Sequence, residues 1–300
     1  MQIAQFAIYH SKTMFLFTRS DFKTVIIPQS IFAISTTISL ARSTTKNSQE
    51  IAAQILNRSP YMLGWLWLHL LVENIANQRL ASSVQEDTVN KPWRPLPAGR
   101  ITMTEAQAIL RVLVPASVIV SLLIGGLLPS VTLMTFIWLY NDLDGSDAGP
   151  WQRNMINAGG LACFGWGAVN ILLGDPQQVG DEQERLCRWV ALTSAIITTT
   201  VFAQDFPDID GDKLRHRKTL PLLYTETYSR ALLAGFILFW SLVSPIFWNV
   251  GGAAWSGSVS IGSVMAFLTL FGKSKVIDET VWKLWCVWIT TIYLLPILAV

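Results

Sequence analysis

The sequence predicts an all-α integral membrane protein with about nine transmembrane helices in a single bundle, and three observations support this fold class. First, 51% of the 300 residues are hydrophobic and only 14% are charged, whereas a soluble domain carries about 25% charged residues. Second, the chain contains 13 Trp and its mean hydropathy is +0.41, as expected for a protein surrounded by lipid. Third, apolar runs near the roughly 20 residues that a helix needs to cross a bilayer recur along the whole chain.

Nine apolar segments are candidate membrane-spanning helices. They cover residues 22–41, 61–78, 105–126, 128–141, 154–173, 187–204, 230–249, 251–272 and 280–299. The fourth segment is short, and the second carries His69 and Glu73 near its end. Residues 1–21 precede the first span and are expected to form a cytosolic segment, and residues 22–300 are expected to form one transmembrane domain.

Lysine and arginine residues divide unevenly between the two sides of this arrangement. Most of them fall in the N-terminal segment and in the loops after the second, fourth, sixth and eighth spans. Because positively charged loops remain in the cytosol, these loops are expected there, in a multi-pass protein of a membrane such as the endoplasmic reticulum. The net charge of +2, without a basic stripe that alternates with aromatic residues, gives no indication of a nucleic-acid partner.

The loop after the sixth span, AQDFPDIDGDKLRHRKTLP, concentrates charge at the end of an apolar segment. Asp205, Asp208 and Asp212 are three and four residues apart, so a continuing helix would place all three carboxylates on one face, whereas Pro207 favours a turn there. Mg²⁺ prefers carboxylate oxygens and bridges to substrate phosphates, so these aspartates are candidate metal ligands and candidate catalytic residues. A solvated acidic cap is one alternative. An EF-hand-like Ca²⁺ loop is another, although it lacks the Glu at position twelve.

The loop after the second span, NQRLASSVQEDTVNKPWRPLPAGRIT, combines oxygen ligands with cations. Asn77, Glu86 and Asp87 are candidate metal ligands, and Asp87 is also a candidate catalytic residue. Three prolines stiffen the KPWRPLPAG segment and fix the direction of Arg94. A basic segment that touches anionic lipid is the alternative, but it leaves the adjacent acidic pair unexplained.

Acidic clusters and basic residues at the same end of a helical bundle predict a substrate with a diphosphate group and an apolar tail. Mg²⁺ would neutralise the diphosphate, and Lys91, Arg94, Lys213 and Arg215 are the candidate side chains that complete its binding shell. The tail would occupy the interior of the bundle, where aromatic faces stabilise an allylic cation.

A third polar segment, LYNDLDGSDAGPWQRNMINAGG, lies on the same predicted side of the membrane. Tyr140, Asn141, Arg153 and Asn157 are candidate residues of the substrate pocket. An Asp-Gly turn followed by a helix that begins near Pro150 explains the segment equally well.

The charged loops resemble two motifs of the UbiA superfamily of intramembrane prenyltransferases. DTVNKPWRPLPAGRIT is similar to the segment after the first Asp-rich motif of that family, and DFPDIDGDKLRHRKTLPL is similar to the second, with Asp205, Asp208 and Asp212 in the DxxDxxxD positions. The resemblance spans nearly the whole chain and implies a helical bundle with a lateral opening to the bilayer, Mg²⁺ and an isoprenoid diphosphate. FTRSDFKT, NQR…EDTVNKPWRP and LYNDLDG…RNMINAGG are most similar to the fungal secondary-metabolism branch, which includes aromatic prenyltransferases and a sesquiterpene cyclase type.

The first Asp-rich motif departs from the family pattern, which reads Asn-Asp-x-x-Asp-x-x-x-Asp. If Asp87 is its last aspartate, Ser83 and Leu80 occupy the two earlier Asp positions. Asn77, Glu86 and Asp87 then remain as the first metal site. The second motif is therefore expected to carry most of the metal binding.

Three functions follow as hypotheses. The first is transfer of a geranyl or farnesyl group to an aromatic or phenolic acceptor in secondary metabolism. The alternative is a membrane sesquiterpene cyclase that acts on farnesyl diphosphate without an acceptor. A transporter or scaffold is disfavoured, because the charges cluster at one end of the spans instead of the midplane, and the two halves show no inverted repeat.

Overall fold

The computed structural model describes residues 2–42, 47–174 and 183–299, and in these ranges the chain is helical with no β-strand. The α-helices are α1 (Gln2–Thr18), α2 (Ile27–Ala41), α3 (Ser48–Gln78), α4 (Ala81–Asn90), α5 (Met103–Ile124), α6 (Leu127–Asn141), α7 (Pro150–Leu173), α8 (Gln183–Thr200), α9 (Ile209–Leu214), α10 (Leu220–Leu223), α11 (Glu226–Phe247), α12 (Gly252–Phe271), α13 (Lys275–Tyr293) and α14 (Leu295–Leu298). The predicted all-α fold class is confirmed.

Each predicted span coincides with one of the longer helical segments, which are α2, α3, α5, α6, α7, α8, α11, α12 and α13. Within the described ranges, six helical stretches are long and apolar enough to cross a membrane: Ala4–Ala41, Met103–Ile124, Pro150–Leu173, Gln183–Asp205, Glu226–Phe247 and Lys275–Leu298. Shorter apolar helices cover Leu127–Asn141 and Trp255–Phe271. The protein is therefore an integral membrane protein, and the count of nine crossings stays a prediction.

The N-terminal segment continues into the first span instead of standing apart from it. A 3₁₀ turn (Arg19–Asp21) and a π-helical turn (Phe22–Ile26) connect α1 to α2. Such π-helical turns are rare and occur frequently at functional sites. Thr24 and Val25 of this turn, together with Asp21 at the end of the 3₁₀ turn before it, lie at the wall of an internal cavity.

Helix α7 is at the centre of the bundle. It packs against α2, α3, α6 and α8, while α11, α12 and α13 pack in sequence and α13 returns to α2. Two glycines with positive φ, Gly125 (103°) and Gly126 (84°), allow the abrupt change of direction between α5 and α6. The packing encloses a core with four fully buried Trp side chains: Trp65, Trp189, Trp285 and Trp288.

Two of the short helices lie in the charged loops and bring these loops together. Helix α4 belongs to the loop after α3, α9 belongs to the loop after α8, and α4 packs against α9. Gly211 on α9 lies directly against the Asn90 side chain, since a Cβ added there would be 2.1 Å from Asn90 Nδ2. The two loops meet at one end of the bundle, which we call the charged end.

Candidate active site

The second Asp-rich loop does not continue the helix before it. Helix α8 ends at Thr200, a 3₁₀ turn covers Val201–Asp205, and α9 begins only at Ile209. Of the two conformations that the sequence left open, the structure shows the turn at Pro207 and not a helix through all three aspartates. The turn nevertheless buries both outer aspartates, at positions 205 and 212, and leaves Asp208 half-buried.

Asp205 is 1% exposed and is held by a basic residue of α7. Arg153 Nη1 donates to Asp205 Oδ1 at 2.6 Å, and Arg153 Nε donates to the Tyr140 hydroxyl at 3.3 Å. Asp205 Oδ2 is buried without a hydrogen-bond partner. Two of the predicted pocket residues thus join the second Asp-rich loop.

Asp212 has a similar environment. It is 0% exposed, its Oδ1 accepts from Arg217 Nη1 at 3.1 Å, and its Oδ2 is buried without a hydrogen-bond partner. Burial raises the pKa of Asp212 to about 7, even though the Arg153 and Arg217 guanidinium groups favour its charged form. A cation placed beside the two unpartnered oxygens of Asp205 and Asp212 would offset this cost.

Arg217 joins the two charged loops, and the sequence did not single it out from the basic run around it. Its Nη1 donates both to Asp212 Oδ1 and to Glu86 Oε1, each at 3.1 Å. Arg217 also lines the cavity. Only the packing of α4 against α9 distinguishes it from the exposed neighbours Lys213 and Lys218.

Arg215 and Lys213, two predicted diphosphate ligands, lie outside the cavity lining. The Arg215 side chain is 3% exposed and donates to Ser83 Oγ (2.8 Å) and Ser146 Oγ (3.1 Å), with Glu86 Oε2 at 3.4 Å. It therefore braces α4 against the loop after α6. Ser83, which stands at a family Asp position, takes part in this brace.

In the first charged loop, Asp87 and Arg94 form a two-pronged ion pair. Arg94 Nη1 donates to Asp87 Oδ1 at 2.9 Å and to Oδ2 at 3.0 Å. Burial raises the pKa of Asp87, and the adjacent Arg94 opposes that shift. Arg94 Nη2 also donates to Ser20 Oγ at 3.2 Å, which connects this loop to the N-terminal segment. Lys91 Nζ lies 3.5 Å from Asp208 Oδ2, across the two loops.

The C-terminal ends of α3 and α6 contact each other at the charged end of the bundle. Asn77 Nδ2 donates to Asn141 Oδ1 at 3.1 Å, and Arg79 Nη2 donates to Asp142 Oδ1 at 2.5 Å. Asn77 and Asn141 both line the cavity, as does Asn157 on α7. The polar pocket residues predicted from the sequence therefore lie around one space.

That space is a cavity of about 190 Å³. Its charged side chains include Glu86, Lys91, Arg94, Arg153, Asp208 and Arg217. Its apolar wall includes Leu133, Phe136, Phe164, Trp282 and Trp285. Arg153 and Phe164 are 11 residues apart on α7, which corresponds to a depth of about 16 Å along the helix. The cavity therefore has a charged end and an aromatic end.

A divalent metal fits the donor set at the charged end. In residues 2–42, 47–174 and 183–299, no three His, Cys, Asp or Glu side chains are already grouped closely enough to hold an ion. Asp205 and Asp212 each bind an arginine, yet each keeps one buried carboxylate oxygen without a hydrogen-bond partner. Carboxylate oxygens are the ligands that Mg²⁺ prefers, and buried polar atoms without partners are uncommon.

The sequence pattern of the UbiA prenyltransferase family matches residues 56–292. The chain belongs to this family. It is 30% identical over 251 residues to the fumagillin β-trans-bergamotene synthase of Aspergillus fumigatus, covering 83% of this chain and 79% of that protein. It is 28% identical over 264 residues to a polyprenyl transferase of Hericium erinaceus, covering 85% of this chain and 82% of that one.

Solved structures support the same fold. A UbiA homologue of Archaeoglobus fulgidus, solved with DMAPP and Mg²⁺, aligns over 95% of this chain and 99% of its own with a TM-score of 0.63. The sequence identity in that alignment is 11%, so it shows the fold alone.

Two acidic cavity residues lie outside both Asp-rich loops. Asp21 belongs to the turn between α1 and α2, and Glu73 lies on α3, four residues before Asn77. The FTRSDFKT segment and the acidic residue near the end of the second span are visible in the sequence. Their place beside the cavity depends on helix packing, which single-sequence patterns do not give.

Proposed function

We propose that this protein is a Mg²⁺-dependent membrane enzyme that ionises an allylic isoprenoid diphosphate of the geranyl or farnesyl class. The observation that carries the proposal is the pair of unpartnered buried oxygens on Asp205 and Asp212. Both aspartates lie just outside the cavity lining, but each binds an arginine, Arg153 or Arg217, that lines the charged end of a cavity whose other end is aromatic. A diphosphate with an apolar tail complements both ends.

The second Asp-rich loop is the proposed main metal site, with Asp205, Asp208 and Asp212 as ligands. Asn77 and Glu86 line the cavity, and Glu86 shares Arg217 with Asp212. When bound, Mg²⁺ supplies positive charge that stabilises the leaving diphosphate.

The basic residues of the cavity are the proposed diphosphate ligands. Three of them, Arg153, Arg217 and Lys91, are each bound to an aspartate of the second loop. In this proposal they lie where negative charge develops on the leaving diphosphate. Asp87 engages Arg94 through both carboxylate oxygens. In this proposal Asp87 orients Arg94 toward the diphosphate more than it binds metal.

The aromatic end is the proposed place for the isoprenoid tail. Phe136, Phe164 and Trp285 line it, and Trp285 Nε1 is satisfied by Thr200 Oγ1 at 3.0 Å. Its indole donor is therefore occupied and its ring can lie against an allylic cation, which aromatic faces stabilise. Burial among apolar side chains also keeps water from quenching the cation.

For the fate of the cation we propose cyclisation, the sequence alternative, ahead of transfer to an aromatic acceptor. The 30% identity to a terpene synthase supports this choice. Transfer to a phenolic acceptor is the second candidate, supported by the likeness to a polyprenyl transferase.

Product analysis tests this proposal. The purified protein in lipid nanodiscs is incubated with Mg²⁺ and geranyl or farnesyl diphosphate, with and without a phenol, and both diphosphate release and organic products are measured. Cyclised hydrocarbon without a phenol is the expected result. A prenylated phenol formed only with the acceptor would favour transfer. Absence of diphosphate release under all conditions would refute ionisation.

We also propose that the charged end faces the cytosol. Cys187 is exposed near the start of α8, at the end of that helix opposite Asp205. In microsomes, a membrane-impermeant maleimide is expected to label Cys187 only after permeabilisation. Equal labelling of sealed vesicles would reverse the orientation.

A further inference from the structure

Glu73 belongs to the cavity but to neither Asp-rich loop. Asn77 contacts Asn141, so α3 and α6 reach the charged end side by side. Four residues back on each helix lie Glu73 and Ile137, both in the cavity lining. Four residues correspond to about 6 Å along a helix. Glu73 therefore lies one turn below the charged end, at the level where the apolar wall begins.

The Glu73 carboxylate is less engaged than the other acidic groups of the cavity. Among the described residues that line it, Glu86, Asp208 and Asp21 each have a basic side chain within 4.0 Å. Glu73 has no such ion pair there. Its one described hydrogen bond is Oε2 accepting from Asn74 Nδ2 at 3.3 Å. Among the described residues, Glu73 Oε1 has no hydrogen-bond partner, and Glu73 lines the cavity.

Two other groups near the cavity are less suited to react with a substrate carbon. Asp21 accepts from the hydroxyls of Ser20 (2.9 Å) and Thr24 (3.5 Å) and lies toward Arg94. His69 is fully buried, lies outside the cavity lining, and uses both ring nitrogens in hydrogen bonds. Glu73 is the acidic group at the boundary between the charged and apolar zones.

The chemistry proposed above ends in the loss of a proton, whichever nucleophile attacks. The allylic C–O bond breaks and its electron pair leaves with the diphosphate. The cation then forms a new C–C bond. Finally a C–H bond next to the cationic carbon breaks, its electron pair forms a C=C bond, and the proton needs an acceptor within reach.

We propose that Glu73 Oε1 accepts this proton, which makes Glu73 a catalytic residue. The inference rests on the proposed function, because it needs the carbocation that ionisation produces. The position of Glu73, one turn from the diphosphate end, separates the group that ends the reaction from the groups that begin it. After product release the proton passes to solvent and the carboxylate is restored.

The test uses the full-length protein in nanodiscs and compares Glu73→Gln, Glu73→Asp and wild type. Glu279→Gln is the matched control, because Glu279 is exposed on α13 and lies outside the cavity lining. Diphosphate release and organic products from the same reaction are both measured with farnesyl diphosphate. General-base groups contribute typically 10²- to 10⁴-fold, so the deprotonated product per diphosphate released is expected to fall at least about tenfold in Glu73→Gln.

Diphosphate release by Glu73→Gln is expected to stay within about threefold of wild type, with water-derived alcohol replacing the normal product, since ionisation precedes proton loss. Glu73→Asp keeps the carboxylate and is expected to restore part of the product ratio. An unchanged ratio in Glu73→Gln, matching Glu279→Gln, would overturn the inference. Parallel loss of release and product in both Glu73 variants would also overturn it in favour of a structural role. If wild type releases no diphosphate, the proposed function itself fails.

Discussion

The two charged loops meet at one end of the bundle, but their carboxylates are engaged differently. In the loop after α8, Asp205 and Asp212 each bind one arginine and keep one buried oxygen without a partner. In the loop after α3, both oxygens of Asp87 accept from Arg94, and both oxygens of Glu86 have arginine partners. The loop after α3 therefore has fewer free carboxylate oxygens to offer a metal than the loop after α8.

We propose that this difference gives the loops separate roles. In this proposal the loop after α8 binds Mg²⁺ through its unpartnered oxygens, whereas the loop after α3 uses its acids to hold guanidinium groups in place. The loss of family aspartates at Ser83 and Leu80 is consistent with this division. Ser83 instead accepts from Arg215.

Asp205→Asn is expected to have the largest effect. It removes a charge that both Arg153 and a metal require, and the loss of one preorganised electrostatic group at a reacting centre costs about 100- to 1,000-fold. The rate of diphosphate release under saturating Mg²⁺ measures the effect. Asp210→Asn is the matched control, because Asp210 is an exposed aspartate of the same loop, and its rate should match wild type. Similar rates of diphosphate release in the two variants would contradict a special role for Asp205.

Arg217→Gln is expected to follow, with a decrease of roughly 10- to 100-fold in kcat/KM. Arg217 bridges Asp212 and Glu86 across the loops, and hydrogen bonds to charged groups contribute about 1.5–3 kcal/mol. The comparison variant is Arg215→Gln, whose side chain lies outside the cavity lining. We expect it to lower thermal stability while its KM for the diphosphate changes little. A larger rise of KM in Arg215→Gln than in Arg217→Gln would make Arg215 the diphosphate ligand instead.

Asp87→Asn is expected to reduce kcat/KM by about tenfold, mainly through KM. The substitution weakens a charge-assisted pair with Arg94, and hydrogen bonds to charged groups contribute about 1.5–3 kcal/mol. The Mg²⁺ concentration that gives half-maximal activity should stay near the wild-type value. A strong rise in that Mg²⁺ requirement would make the first loop a metal site equal to the second.

Lys213→Ala is expected to have the smallest effect, with a change in kcat/KM of about twofold or less. The sequence proposes Lys213 as a diphosphate ligand, but its side chain is exposed and outside the cavity lining, and exposed charges contribute little. Steady-state kinetics at low and high salt measure this. A tenfold loss would show that the loop rearranges to bring Lys213 over the substrate.

Much of the fold could be predicted from the sequence because lipid-spanning helices require long apolar runs, and each predicted run coincides with a helix. The spacing of Asp205, Asp208 and Asp212 is a local pattern as well, and their role as metal ligands stays a prediction. Spacing alone could not decide between a helix through them and the turn at Pro207 that the structure shows.

Other parts of the site depend on contacts between distant segments. Arg217 is buried beside the cavity while Lys218 is exposed, and this difference arises only when α9 packs on α4. Asp21 reaches the cavity from the 3₁₀ turn that precedes the π-helical turn, and Glu73 gains its place from the side-by-side ends of α3 and α6. No periodicity in a single sequence records such pairings.

A Mn²⁺ titration tests the division between the two loops most directly. Wild type, Asp205→Asn and Asp87→Asn are compared in nanodiscs by electron paramagnetic resonance, with a non-hydrolysable isoprenoid diphosphate analogue present. The predicted result is at least about a tenfold loss of Mn²⁺ affinity in Asp205→Asn, as expected when a carboxylate ligand is removed, and a change of about twofold or less in Asp87→Asn. Equal losses in the two variants would contradict the account.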